Sequence, residues 1–288
     1  GAADRFLLRG TVLTPGGPLL GELLVEGKAI TCVAASCAAE PGAAGATTIT
    51  TSGIILPGLI DAHNHGLFNI FDEGDWTPSR VYANHNDWTS DTRYSQVVDA
   101  KQYLASESTS PVDLRCEMDK YAELKALLAG TTSFTLAPGA VDLVCYQSAV
   151  RTIDTSRNGL GSDRVRTSIS VPTTASATSV CADFTAGTAN AYLVHIGEGT
   201  NAAARNEFTT LEGRAGGCLM VPQTTIVHGT ALTTAEFTKM ATAGMKLVWS
   251  PKRRSSAFDE AVNTQTSGRA RVASPRSKPI TSSLRAGS

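Results

Sequence analysis

The rhythm of apolar and polar positions changes along this chain. Over residues 5–50, short β-rich runs are broken by turn residues, first Pro15-Gly16-Gly17 and then Gly27-Lys28. That pattern predicts a small β layer. In the segment TTSGIILPGLIDAHNH, Ile54, Ile55, Leu56, Leu59 and Ile60 are apolar on both faces. Such a run predicts a strand buried between two layers, as inside an α/β barrel. Residues 66–112 are rich in Trp, Asn, Asp and Tyr and keep no period. They read as a long loop of the kind that covers an active site.

From about residue 113 helical and strand patterns alternate. EMDKYAELKALLAG predicts a helix closed by Gly130, and TTSFTLAP a strand. VDLVCYQSAVRTID reads as a helix and RVRTSISV as a strand. AYLVHIGEG is a strand running into a loop, NAAARNEFTTLEG a helix and TTIVHGT a strand. Thr233 and Glu236 fit a capping box opening the helix TTAEFTKMATAG, and MKLVWSP is the last strand. Not every helix between 172 and 189 can be placed.

Alternating β and α units predict an α/β fold, a parallel sheet covered by helices. About six barrel strands precede residue 250, whereas a complete (β/α)8 TIM-type barrel needs about eight strands and about 250 residues. The expectation is a barrel incomplete at its C-terminal end, behind a small N-terminal β-sandwich layer. The expected divisions are 1–52 for that layer, 53–250 for the barrel and 251–288 for a tail. The tail is rich in Arg, Ser, Thr and Pro and shows neither period. It reads as a disordered basic segment or as a truncated or frameshifted end.

Composition narrows the classes. Of 288 residues, 42% are hydrophobic and 18% charged, enough apolar content for a large core. A net charge of −1 argues against a globally basic nucleic-acid binder, although it conceals an acidic body and a basic tail. No apolar run is long enough for a membrane span, and the opening GAADRFLLRG lacks a signal pattern. None of the six cysteines forms a Cys-x-x-Cys pair, so a zinc ribbon is disfavoured. Cys32 and Cys37 are close enough to bridge a hairpin. The even count leans toward an oxidising, extracytoplasmic compartment, with buried thiols in a cytoplasmic protein as the alternative.

The chemistry concentrates on histidines at the C-terminal ends of predicted strands. His63 and His65 end GIILPGLIDAHNH, His195 ends AYLVH and His228 ends TTIVH. In a βα barrel, functional groups project from that rim. Residues two apart on a strand point to one side, so His63 and His65 would converge. Imidazoles gathered from several strands make a divalent-metal cage of the zinc type. One strand-end histidine alone would more often be a surface or core residue. His85 in ANHNDW reads as a loop residue, and Trp76 and Trp88 as loop packing or pocket walls. Asp61 reads as support for the strand or a ligand.

These motifs are similar to the amidohydrolase superfamily. GIILPGLIDAHNHG resembles its first-strand signature, HIGEG the fifth-strand His-x-x-Glu of the single-metal deaminase and chlorohydrolase (cytosine-deaminase-like) branch, and VHGTAL and LVWSP the segments that follow. The resemblance implies one Zn²⁺, alternatively Fe²⁺, held by His63, His65 and His195, with His228 as a further ligand or a substrate polariser. It implies Glu198 as general acid and base. The implied reaction is hydrolysis of a C–N bond in a small cyclic or amide substrate by metal-activated hydroxide. No Lys lies in 164–180 to serve as the carboxylated lysine of two-metal members. The family's eighth-strand aspartate has no clear counterpart. Asp259, the one aspartate past Pro251, follows no buried-strand run. The alternative expectation is therefore an inactive remnant of the fold that at most binds metal. An open barrel would also favour a homo-oligomer.

Overall fold

The computed structural model describes residues 4–76, 80–107, 111–135, 149–154, 164–250 and 271–273, with the backbone alone at residues 73, 76 and 271–273. The chain divides into two compact units, residues 1–58 and 59–288.

The first unit is one four-stranded sheet. Strands β1 (Arg5–Thr14), β2 (Gly17–Glu26), β3 (Ala29–Ala34) and β4 (Thr47–Ile55) lie in the order β3-β2-β1-β4. β1–β2 and β2–β3 are antiparallel hairpins, and β4 runs parallel to β1. Leu7, Leu24 and Cys37 form its core, and Cys32 and Cys37 are joined as a disulfide with Cα atoms 6.0 Å apart. The buried Glu22 takes hydrogen bonds from Cys37 N and Arg9 Nε, each at 2.7 Å. A charge taken from water needs such partners.

The second unit begins with β5 (Leu59–Asp61) and a 3₁₀ turn, Gly66–Ile70. Helices α1 (Glu73–Trp76), α2 (His85–Trp88), α3 (Thr92–Leu104) and α4 (Arg115–Leu128) follow. Next come β6 (Thr131–Phe134), β7 (Arg151–Thr152), β8 (Val165–Ser168), α5 (Thr174–Ala186), β9 (Ala191–Ile196), α6 (Ala202–Gly213), β10 (Thr224–His228), α7 (Thr234–Ala243), β11 (Lys246–Trp249) and β12 (Arg271–Ala273). β5, β6 and β7 make one parallel sheet, and the other is ordered β12-β11-β10-β9-β8. In it β8 to β11 are parallel, and β12 is an antiparallel edge. The result is an α/β fold with parallel sheets. Among the described residues these strands form two separate sheets rather than a closed barrel.

The core explains why the βα units stand. Tyr192, Val194 and Ile196 alternate along β9 and, with Ile226 of β10, pack under helices α5, α6 and α7. α6 answers with Ala204, Phe208 and Leu211, spaced four and three residues apart on one face. Asn201 caps α6 by accepting from Ala204 N at 3.0 Å. The Thr233–Glu236 capping box opens α7, and Arg205 reaches from α6 to the same Glu236 at 2.8 Å. On the opposite face of the sheet, Val227 and Val248 pack with Ala62.

Several expectations are corrected. The apolar run at 54–60 is not one buried strand. Pro57, which has no N–H for a ladder, lies between β4 and β5, and Ile54 and Ile60 are 65% and 62% exposed. The expected loop at 66–112 is largely helical. Asp91 caps α3 by accepting from Arg93 N at 2.8 Å, and Asn84 caps α2, so local side-chain caps replace the missing apolar period. α5 fills the unassigned stretch, opened by Thr173 and closed by Gly187 at φ +68°. Arg151–Thr152, expected to end a helix, pair as β7 with β6. Arg271–Ala273, expected to be shapeless, pair with the edge of β11, whose free backbone groups accept another strand. The remaining tail, including Asp259, and most of the predicted helix at 141–154 lie outside the described residues.

Candidate metal centre

Four imidazoles meet at the ends of β5, β9 and β10. His63 and His65 lie past the end of β5, not on it, so strand alternation does not aim them. A polar lattice does. Asp61 accepts from His63 N at 3.1 Å and from Asn64 Nδ2 at 2.9 Å, Asn69 Nδ2 donates to Asn64 Oδ1 at 2.8 Å, and Lys125 Nζ of α4 donates to Asn69 O at 2.7 Å. Burial is the main force raising Asp61, to about 6, against the pull of its Asn64 and His63 partners.

His195 is the penultimate residue of β9, on the face opposite the helix-packed Tyr192, Val194 and Ile196. His228 ends β10, where regular alternation would send it back among the helices beside Ile226. Its backbone instead turns to φ +74°, and the ring stands 4.7 Å from that of His63 and 5.1 Å from that of His195. A positive φ at a residue other than glycine is strained, so packing must hold it.

The inner nitrogens converge. His63 Nε2 is 3.2 Å from His65 Nε2 and 3.0 Å from His195 Nε2, and one ligand atom from each ring lies within 4.8 Å of the others. A tetrahedral zinc ion with Zn–N bonds of about 2.0–2.1 Å would set its nitrogens roughly 3.3 Å apart. The outer nitrogens are anchored: His195 Nδ1 donates to Ser168 O at 2.8 Å, and His63 Nδ1 lies 3.3 Å from Ser250 Oγ. A carbonyl only accepts, so His195 carries its proton on Nδ1 and presents a lone pair from Nε2. Burial first, then the neighbouring imidazoles, hold His63 and His195 well below the usual imidazole range. Neutral, inward-facing nitrogens are what a borderline divalent cation such as Zn²⁺ or Fe²⁺ requires, so this donor set fits one.

Glu198 lies beside the cluster, 5% exposed rather than solvated. Its Oε1 is 3.7 Å from His228 Nε2. Its Oε2 is 3.1 Å from His85 Nδ1, and His85 Nε2 is 2.6 Å from Glu207 Oε1. Burial disfavours a charged His85, yet the hydrogen bonds and charges of Glu198 and Glu207 raise it to about 10. His85 is thus not an ordinary loop residue. The sequence signal for it was indirect: Glu207 falls on the apolar stripe of α6, where a carboxylate needs a buried partner. Trp88 packs with Tyr82 and Val97, and the Trp76 side chain lies outside the described residues.

No protein-family model and no curated protein matches the chain. Solved structures do. A mutant atrazine chlorohydrolase from Arthrobacter aurescens TC1, complexed with zinc and atraton, aligns with a TM-score of 0.57 at 16% identity, over 85% of this chain and 65% of that one. A triazine hydrolase variant aligns at 0.56, and the zinc complex of the same chlorohydrolase at 0.55, with the same identity and coverage. This chain therefore spans about 65% of the length of these structures. At such identity the likeness speaks for architecture alone, and the chain shares the α/β fold of these triazine-processing hydrolases.

Proposed function

We propose that this chain belongs to a single-metal amidohydrolase that cleaves a C–N bond in a small cyclic amidine, amide or related molecule. The observation that carries the proposal is the convergence of the His63, His65 and His195 Nε2 atoms, with Glu198 buried beside them. Those three histidines would hold the cation, Zn²⁺ or alternatively Fe²⁺. When bound, it lowers the pKa of a coordinated water and polarises the substrate. Glu198 takes a proton from the attacking water on the oxygen facing the cluster and delivers it to the leaving nitrogen, a two-way general acid–base role. His228, 1% exposed and ringed by the other imidazoles, donates toward the substrate atom that gains negative charge. The buried walls exclude bulk water from both groups. The two described disulfides support residence in an oxidising compartment.

The test is ammonia release from cytosine, guanine and amino-s-triazines by zinc-loaded protein, with Glu198→Gln alongside. The variant should keep its zinc and lose about 10²- to 10⁴-fold in kcat, the usual weight of a general acid–base group. A Glu198→Gln protein as active as the parent would remove Glu198 from this role.

A further inference from the structure

The imidazole of His85 sits between two carboxylates on opposite sides of its ring. Nδ1 faces Glu198 Oε2 at 3.1 Å and Nε2 faces Glu207 Oε1 at 2.6 Å. All three side chains are about nine-tenths buried, at 10%, 7% and 10% exposure. The carboxylates engage opposite nitrogens, so the group is a linear bridge and not a chelating pocket. Its far end is fixed: Glu207 Oε2 accepts from Gly197 N at 2.8 Å, and Asn86 Nδ2 adds a 3.2 Å bond to Oε1. Its near end is fixed too, because His85 N donates to Glu198 O at 3.1 Å. The backbones meet closely enough that Thr200 N reaches Ala83 O at 2.8 Å. Gly199 permits this at φ +154°, since a Cβ there would stand 2.5 Å from Ala83 O.

We propose that His85, braced by Glu207, is the positioning residue for Glu198. It rests on the hydrolase reading for its purpose, although its geometry stands alone. The bridge occupies Oε2 of Glu198 and so leaves Oε1 as the oxygen turned to His228 and the histidine cluster. A free glutamate has several rotamers and two equivalent oxygens, and a general acid–base group works only when one oxygen is held within hydrogen-bond reach of the reacting proton. The second carboxylate on a doubly protonated imidazole fixes the ring plane, which a single hydrogen bond would leave free to rock. α2 and α6 thus act on the site although neither supplies a group to it.

Crystal structures of His85→Ala and His85→Gln, with side-chain ¹⁵N NMR of histidine-labelled parent protein, test this without any substrate. The parent should show one histidine protonated on both nitrogens at pH 8, absent from the His85→Gln spectrum and reverting to a single-proton ring in Glu207→Gln. In His85→Ala the Glu198 carboxylate should leave its place near His228, and in His85→Gln, whose amide can donate to Oε2, it should return. Glu198 unmoved in His85→Ala, or a neutral His85 in the parent at pH 8, overturns the proposal. Neither result depends on turnover, so failure here is separable from failure of the hydrolase reading.

Discussion

Asp119 of α4 is fully buried, and neither carboxylate oxygen has a hydrogen-bond partner among the described residues. Burial, then the charge of Glu123 one turn on, pushes its pKa up to about 8. In the unfolded chain it would titrate near 3.8. Between those values the folded state holds a proton that the unfolded state has released, so stability falls as pH rises from about 4 to about 8. Asp119→Asn cannot ionise and should flatten that slope. It should be more stable than the parent at pH 8 by about 1–3 kcal/mol, read from melting midpoints. Equal slopes for both proteins would show that Asp119 is ionised in the fold. At this scale the candidate site was legible where residue type and strand-end position coincide, at His63, His65, His195 and His228. Two things were not legible. The turn of His228 depends on a backbone angle that no periodicity encodes, and the role of His85 depends on Glu207, more than a hundred residues away in sequence.

Elements were legible where apolar period and caps agreed, as in α6, α7, β9 and β10. They were misread where polar capping carries the structure, as in α2 and α3, and left unassigned where a weak stripe hides a helix, as in α5. The run around Pro57 shows the limit of reading an apolar segment: it reports β propensity and not what covers it. α5 also gains an unsuspected tie. Cys181 on it is joined to Cys218 after α6, with Cα atoms 6.1 Å apart. Closing a loop of 37 residues' separation restricts the unfolded chain and should contribute about 3–4 kcal/mol. Cys181→Ala/Cys218→Ala should therefore melt well below the parent in calorimetry. A double variant that melts with the parent would show that packing of α5 on β9 alone holds this corner.

Taken whole, the chain carries large apolar side chains at its surface. Leu20 and Leu128 are each 81% exposed, Ile54 65% and Ile60 62%. Among the described residues the strands form separate, unclosed sheets. Exposed apolar surface and open edges drive association. Light scattering should therefore find dimers or larger species whose weight grows with protein concentration, and a strict monomer at roughly 100 µM would contradict this expectation.

The central claim is that imidazoles from the ends of two separate strands, β5 and β9, share one cation. The direct measurement is zinc content by elemental analysis after reconstitution and gel filtration, for the parent and for His195→Ala. His195 is the informative position because it is remote in sequence from the His63–His65 pair. The account predicts about one zinc per parent chain and a loss of at least tenfold in affinity for the variant. Less than ~0.1 zinc in the parent, or equal retention by His195→Ala, would contradict it.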